Sequence, residues 1–356
     1  MRDYGGVEGG SRRDGGAAIF MHYVEQRHLA AVPLQQAEVV RSQDGVSQGA
    51  EIGVQYGNAR ARDKLLFHDG PGALSMIARM LPWRLALWTL ETAPLPIAML
   101  LGHLYLGLAR LFAPALERRA RENLARAGMD ARGVVRRGRR SLVRFMVVLT
   151  RFNGLSRANC SRWIRIEGWE HLRAAAGRGH GVLVISVHAG HWELGALAAG
   201  LAGHPSRLLV HRSPHREMEA YLEKLRTLSG NRLIENRGAA WAVVSALKKN
   251  ETVTTLIDTA PSWASADVEV PFLGGEIRTT TSLARLAYLT GAAMVPSSVL
   301  WSEAERRYVL RFEQPLASSG DHAEDTRRLF ASLERVVREY PDQYFWIFDP
   351  GWAGAK

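Results

Sequence analysis

Cysteine is almost absent from this chain: Cys160 is the only one in 356 residues. That excludes an internal disulfide and any zinc cluster built on cysteine, and it fits a reducing compartment. Acidic residues are also short, 35 against 46 Lys and Arg, for a formal charge of +11. Such a balance points to an anionic partner. Zinc-finger spacing, an RNA-binding signature and basic-zipper heptads are all missing, which argues against nucleic acid. The opening Met1-Arg2-Asp3-Tyr4-Gly5-Gly6 has neither an apolar core nor a cleavage pattern, so it does not read as a secretory signal. No internal repeat is visible.

Composition divides the chain into three parts. Residues 1–70 are rich in Gly, Gln, Arg and Ser, and are expected to form a poorly ordered extension. Residues 71–115 read as a membrane-associated helical anchor. Their uncharged run from Thr92 to Ala109 has roughly the length of a spanning helix, but Pro94, Pro96, Gly102, His103 and Gly107 interrupt it. Trp83, Trp88 and Tyr105 beside flanking arginines resemble interfacial anchors; the competing reading is a buried core helix. Directly afterwards come Arg118, Arg119, Arg121, Arg126, Arg132, Arg136, Arg137, Arg139 and Arg140. Arginines next to an apolar stretch suit an anionic membrane surface, while a solvated helical face is the alternative.

Residues 116–356 form the third part. After a helical pattern from Leu116 to about Leu155, apolar strand-like runs alternate with amphipathic helical ones. That alternation predicts an α/β fold with a mixed, largely parallel central sheet flanked by helices. The N-terminal hydrophobic helix would be appended to it.

One run carries chemistry. Gly181-Val182-Leu183-Val184-Ile185-Ser186-Val187 reads as a buried strand, His188 follows it, and Trp192-Glu193-Leu194 opens a helix. An imidazole can take a proton from a hydroxyl at neutral pH, and a carboxylate on its far nitrogen holds the required tautomer. Residues five apart do not share a helix face. His188 and Glu193 can therefore meet only if Ala189-Gly190 turns the chain first, a bend that suits glycine. A buried histidine with an unrelated surface glutamate is the plainer account. His188, His191 and Glu193 could also be drawn as metal ligands, but helical zinc pairs favour a His–His spacing of four, and here it is three. No metal and no cofactor are expected.

The segment His188-Ala189-Gly190-His191-Trp192-Glu193-Leu194 resembles the central motif of the bacterial lipid A late (lauroyl/myristoyl) acyltransferases, within the lysophospholipid acyltransferase superfamily. Further blocks follow in order from about residue 80 to 350. They include Arg118-Arg119-Ala120-Arg121-Glu122-Asn123-Leu124, Val210-His211-Arg212-Ser213-Pro214, Leu256-Ile257-Asp258, Val270-Pro271-Phe272-Leu273-Gly274 and Tyr340-Pro341-Asp342-Gln343-Tyr344-Phe345-Trp346. The family's central Asn is His191 here, and its closing basic pair is replaced by Ile347-Phe348-Asp349-Pro350.

The resemblance implies an acyltransferase-like sandwich and an O-acyl transfer at the cytoplasmic face of the bacterial inner membrane. The donor would be an acyl thioester, on acyl carrier protein or CoA, and the acceptor a lipid A precursor-like glycolipid. It implies His188 as base and Glu193 as its orienter, with N–H groups at the following helix start as oxyanion donors. Arg212 is the candidate phosphate ligand, or else a surface residue at a strand end. Asp258 would support the site or cap a loop. Gly190 and His191 would line the cleft, His191 having a helix-start role as its alternative. Rival readings are the same fold acting on a phosphatidylinositol mannoside, another glycolipid or an aminolipid, a non-catalytic lipid-binding protein, or a hydrolase releasing free fatty acid.

Overall fold

The computed structural model describes residues 73–213, 216–235, 239–259, 266–348 and 350–352. The extension expected over residues 1–70 lies outside them. Four helices come first: α1 (Ala73–Thr92), α2 (Leu95–Phe112), α3 (Pro114–Arg126) and α4 (Ala131–Leu149). Strands and helices then alternate through β1 (Ile164–Glu167), α5 (Trp169–Ala176), β2 (Val182–Ser186), α6 (Trp192–Leu201), β3 (Ser206–Val210), α7 (Arg216–Thr227), β4 (Arg232–Glu235), α8 (Ala240–Lys248) and β5 (Thr252–Leu256). A hairpin of β6 (Val268–Phe272) and β7 (Gly275–Thr279) intervenes. The chain continues with α9 (Ser282–Thr290), β8 (Ala293–Ser302), β9 (Arg307–Phe312) and α10 (His322–Glu339). The alternation predicted from sequence is present; α5, β4 and the β6–β7 hairpin are additions to it.

The seven-stranded sheet has the order β1-β9-β8-β2-β5-β3-β4. Every neighbouring pair is parallel except β8–β9. Strand β2 lies at its centre and is buried throughout, as a parallel strand covered on both faces must be. Its side chains alternate between two cores. Leu183 and Ile185 join residues of α3, α8, α9 and α10 on one face. Val182 and Val184 join residues of α4, α5 and α6 on the other.

The first two helices form a hairpin, and α2 runs unbroken through Gly102, His103 and Gly107, long and apolar enough by itself to cross a membrane. Pro94 and the restricted backbone before Pro96 separate α2 from α1, and the Arg151 guanidinium donates to the Leu90 and Ala93 carbonyls at the end of α1. Helix α2 docks on α4 through Ala98 and Gly102, against Val143 and Val147. A Cβ on Gly102 would stand 2.7 Å from Val143 Cγ1, so the close approach depends on its absence. The outward face of α2 carries exposed Ile97, Leu100, Leu104, Leu108 and Leu111. The buried-core reading of this helix is therefore excluded. Of the three expected interfacial aromatics only Trp88 is exposed. Trp83 packs edge-on against Tyr221 of α7, and Tyr105 shares a hydrogen bond with Thr89 inside the hairpin.

Candidate active site

Parallel pairing of β2 with β5 aligns Ser186 with Leu256. His188 and Asp258 each lie two residues past that pair, at the carboxyl ends of adjacent central strands, where open α/β sheets form their ligand crevices. Strands lie about 4.8 Å apart, so the register delivers the two side chains to one another. His188 Nδ1 donates to Asp258 Oδ1 at 2.8 Å, and the His188 backbone N–H donates to Oδ2 at 3.0 Å. Asp258 is completely buried. Burial favours its neutral form, yet its carboxyl is held below the ordinary range by the charge and ring bond of His188, by the backbone donor and by the Tyr344 hydroxyl. A carboxylate only accepts, so the Asp258 bond takes up Nδ1–H and Nε2 is the ring nitrogen it leaves free. The ring, 15 % exposed, is flanked by Trp192 and Phe348.

The Glu193 carboxylate is bonded away from the His188 ring. Helix α6 begins after His188, as the turn argument required, but the Glu193 carboxylate points to α7. There Arg226 Nε donates to both oxygens at 3.0 Å, and Nη2 donates at 2.5 Å. Both side chains are largely buried. The carboxylate on the histidine is Asp258, seventy residues away in sequence, and Glu193 instead ties α6 to α7.

His191 takes the helix-start role and not the cleft-lining one. It is fully buried rather than open to a ligand, and it caps α6 through Nδ1, which accepts from Leu194 N at 3.2 Å. Its ring stacks 4.3 Å from Phe145, and burial pushes its pKa down to about 3. The ring is therefore neutral. With His191 a cap and Glu193 on Arg226, the three candidate metal ligands do not converge.

Gly190 makes the turn. Its φ is +61°, and a Cβ there would lie 1.7 Å from the Val299 carbonyl oxygen. Its N–H donates to Gln343 O, and that of His191 to Val299 O. Both of these N–H groups are therefore engaged before the helix begins at Trp192. Arg212 lies two residues beyond β3, half exposed, with Glu235 at 3.3 Å and Glu223 at 3.9 Å. Its charge is already compensated by surface glutamates, and among the described residues no hydrogen bond or ion pair joins it to His188 or Asp258.

The closing block contributes most of what sequence reasoning missed. Residues 343–348 run as a strip along the turn at His188: Phe345 N donates to His188 O, and Ala189 bridges Tyr344. The Gln343 amide clasps both backbone groups of Trp301. Asn123 of α3 donates to the carbonyls of Trp346 and Phe348, at 2.7 and 3.0 Å. A signal for Asn123 did exist, since it lies on the buried stripe of an arginine-rich helix between Ala120 and Leu124. A buried polar group of that kind must find partners.

Residues 74–350 match the sequence model of a family described as bacterial lipid A biosynthesis acyltransferase. The chain is 24% identical over 268 residues to the lipid A biosynthesis palmitoleoyltransferase of Escherichia coli K12, covering 73% of this chain and 87% of that protein. The lipid A biosynthesis acyltransferase of Shigella flexneri matches equally. The lipid A biosynthesis lauroyltransferase of Escherichia coli K12 is 27% identical over 189 residues, covering 52% of this chain and 61% of that protein.

Proposed function

This chain belongs to the bacterial lipid A biosynthesis acyltransferase family, and from that premise we propose that it moves a fatty acyl chain from a thioester donor to a hydroxyl of a lipid A precursor. Membership makes it an acyltransferase of lipid A biosynthesis. The donor, the proton path and the membrane setting are our reading. The observation that carries it is the buried Asp258 on His188 Nδ1, which leaves Nε2 as the base.

In this reading His188 Nε2 takes the proton of the acceptor hydroxyl as its oxygen attacks the thioester carbonyl carbon. Asp258 stabilises the imidazolium that forms, and the positive end of α6 favours the developing oxyanion. Collapse of the tetrahedral intermediate breaks the C–S bond. The imidazolium returns its proton to the departing thiolate, giving an ester and a free thiol, and no cofactor is consumed. The donor is acyl carrier protein or acyl-CoA, with the basic surface attracting an acidic carrier. The outward face of α2 would rest in the inner membrane at its cytoplasmic side.

The test is to incubate membranes bearing the protein with labelled acyl-carrier-protein and acyl-CoA donors, then identify the acylated lipid by mass spectrometry. His188→Ala should remove transfer, by about 10²–10⁴-fold. Asp258→Asn should cost a comparable factor by stabilising the wrong tautomer. Glu193→Gln should retain its rate per folded molecule while losing stability, because it breaks a buried pair worth about 3–5 kcal/mol. Undiminished transfer by His188→Ala would sink the reading. A folded Glu193→Gln as inactive as His188→Ala would return the orienting role to Glu193.

A further inference from the structure

A second feature of the molecule has no part in that chemistry. A largely apolar cleft, partly open to solvent, lies between α2, α3, α4 and the strip 341–347. Its apolar lining includes Leu106, Leu116, Val134, Val135, Leu142 and Ile347, while His188 and Asp258 are not among its walls.

The polar part of the lining is unusual in its charge. Arg110, Glu117 and Arg139 all line the cleft, and Glu117 is the hub of three guanidiniums. Arg110 Nε donates to it at 2.5 Å, Arg121 at 2.6 Å and Arg139 at 3.2 Å. Three cations on one carboxylate leave two positive charges uncompensated. Arg139 Nε is buried and has no hydrogen-bond partner among the described residues. Each arginine is between 34% and 43% exposed, so the group lies at the solvent edge of the cleft. Helix α2 joins this site to the apolar outer face. Leu106 and Arg110 line the cleft, while Leu104, Leu108 and Leu111 of the same helix are exposed.

An apolar cleft with excess guanidinium charge at its edge, beside an exposed apolar helix, matches one kind of ligand: an amphiphile with an anionic head. We propose that the cleft holds an acyl chain of an anionic phospholipid drawn from the surrounding bilayer, its phosphodiester gripped by Arg110, Arg121 and Arg139, apart from the reaction centre. Guanidinium matches phosphate bidentately, and the phosphate would supply the second anion that Glu117 alone does not. The strip forming one wall of the cleft is also the strip bonded to His188, so an occupied cleft would brace the catalytic turn. This inference rests on the membrane setting proposed for α2.

The full chain is purified in detergent, stripped of lipid and incubated with vesicles of phosphatidylglycerol and phosphatidylcholine in equal amounts. It is then re-extracted, and the retained phospholipid is counted by mass spectrometry. Retention should saturate near one phosphatidylglycerol per chain. Arg121→Gln with Arg139→Gln should lower it by about fivefold per arginine. Arg118→Gln with Arg136→Gln removes equal charge from exposed positions and should leave it unchanged. Leu142→Trp, which fills the cleft, should abolish it with every arginine present, and the arginine pair stands as the test if that variant does not fold. Equal retention of both lipids, or an equal loss in the two charge variants, would overturn the site. So would competitive displacement by an acyl-thioester donor, which would assign the cleft to the donor's chain. Absence of any vesicle association would remove the membrane setting and this site together, leaving the His188 chemistry untouched.

Discussion

His191 shows how one residue can serve the fold while standing inside a catalytic motif. It caps α6 through Nδ1 and stacks on Phe145, and burial keeps its ring neutral to about pH 3. In the unfolded chain the same imidazole protonates near 6.5. Between those values the unfolded state binds more protons, so its contribution to stability is complete above 6.5 and is lost as pH falls toward 3. Asparagine can also cap the helix, but it does not titrate. In urea unfolding, the stability of His191→Asn should therefore fall less between pH 7 and pH 5, by about 2 kcal/mol. Identical slopes for the two proteins would show that His191 is protonated in the native state. The motif reading placed His188 and Glu193 correctly at the end of a strand and in the first turn of a helix. It misassigned the partner, because proximity in sequence stood in for the lateral pairing of β2 with β5 that brings Asp258 to the ring.

At the scale of elements, the turn at 188–191 is held by the strip 343–348 more than by its own residues. The strip takes the Gly190 N–H on Gln343 O and supplies Phe345 N to His188 O. Asn123 fixes its far end through two carbonyls. Replacing Asn123 with Ala leaves two carbonyls short of a donor, at about 1 kcal/mol each. The expected outcome is faster hydrogen exchange confined to residues 343–348 and to the turn at 188–191, with a fall in kcat larger than the change in the unfolding midpoint. Uniform acceleration across the sheet would instead mean that Asn123 supports the whole fold. The closing block was visible in the sequence as a set of matching residues, but its role was not. Its partners lie more than 40 residues away at Trp301, and more than 200 away at Asn123.

For the molecule as a whole, charge and apolarity are segregated. The outer face of α2 presents Ile97, Leu100, Leu104, Leu108 and Leu111, while α3 and α4 carry most of the arginine block. Moving a leucine from water into hydrocarbon releases roughly 1.5–3 kcal/mol. Leu100→Glu with Leu104→Glu should thus abolish sedimentation with anionic vesicles while the melting temperature stays unchanged, since both side chains are already exposed. Retained binding by this variant would assign membrane attachment to the arginines alone. The helix was legible as an apolar run; its division into a hairpin, and the glycine contact that docks it on α4, required the packed structure.

Local chemistry can be read directly from the order of the residues. The apolar run of β2, the glycine turn after it, the α/β alternation and the ordered blocks of an acyltransferase family all depend on residues close together in the chain. Which carboxylate faces His188, what Glu193 binds, and what encloses the arginine-edged cleft were decided only by tertiary structure. Those pairings follow from strand register and helix docking, and such long-range contacts leave no trace in the spacing of neighbouring residues.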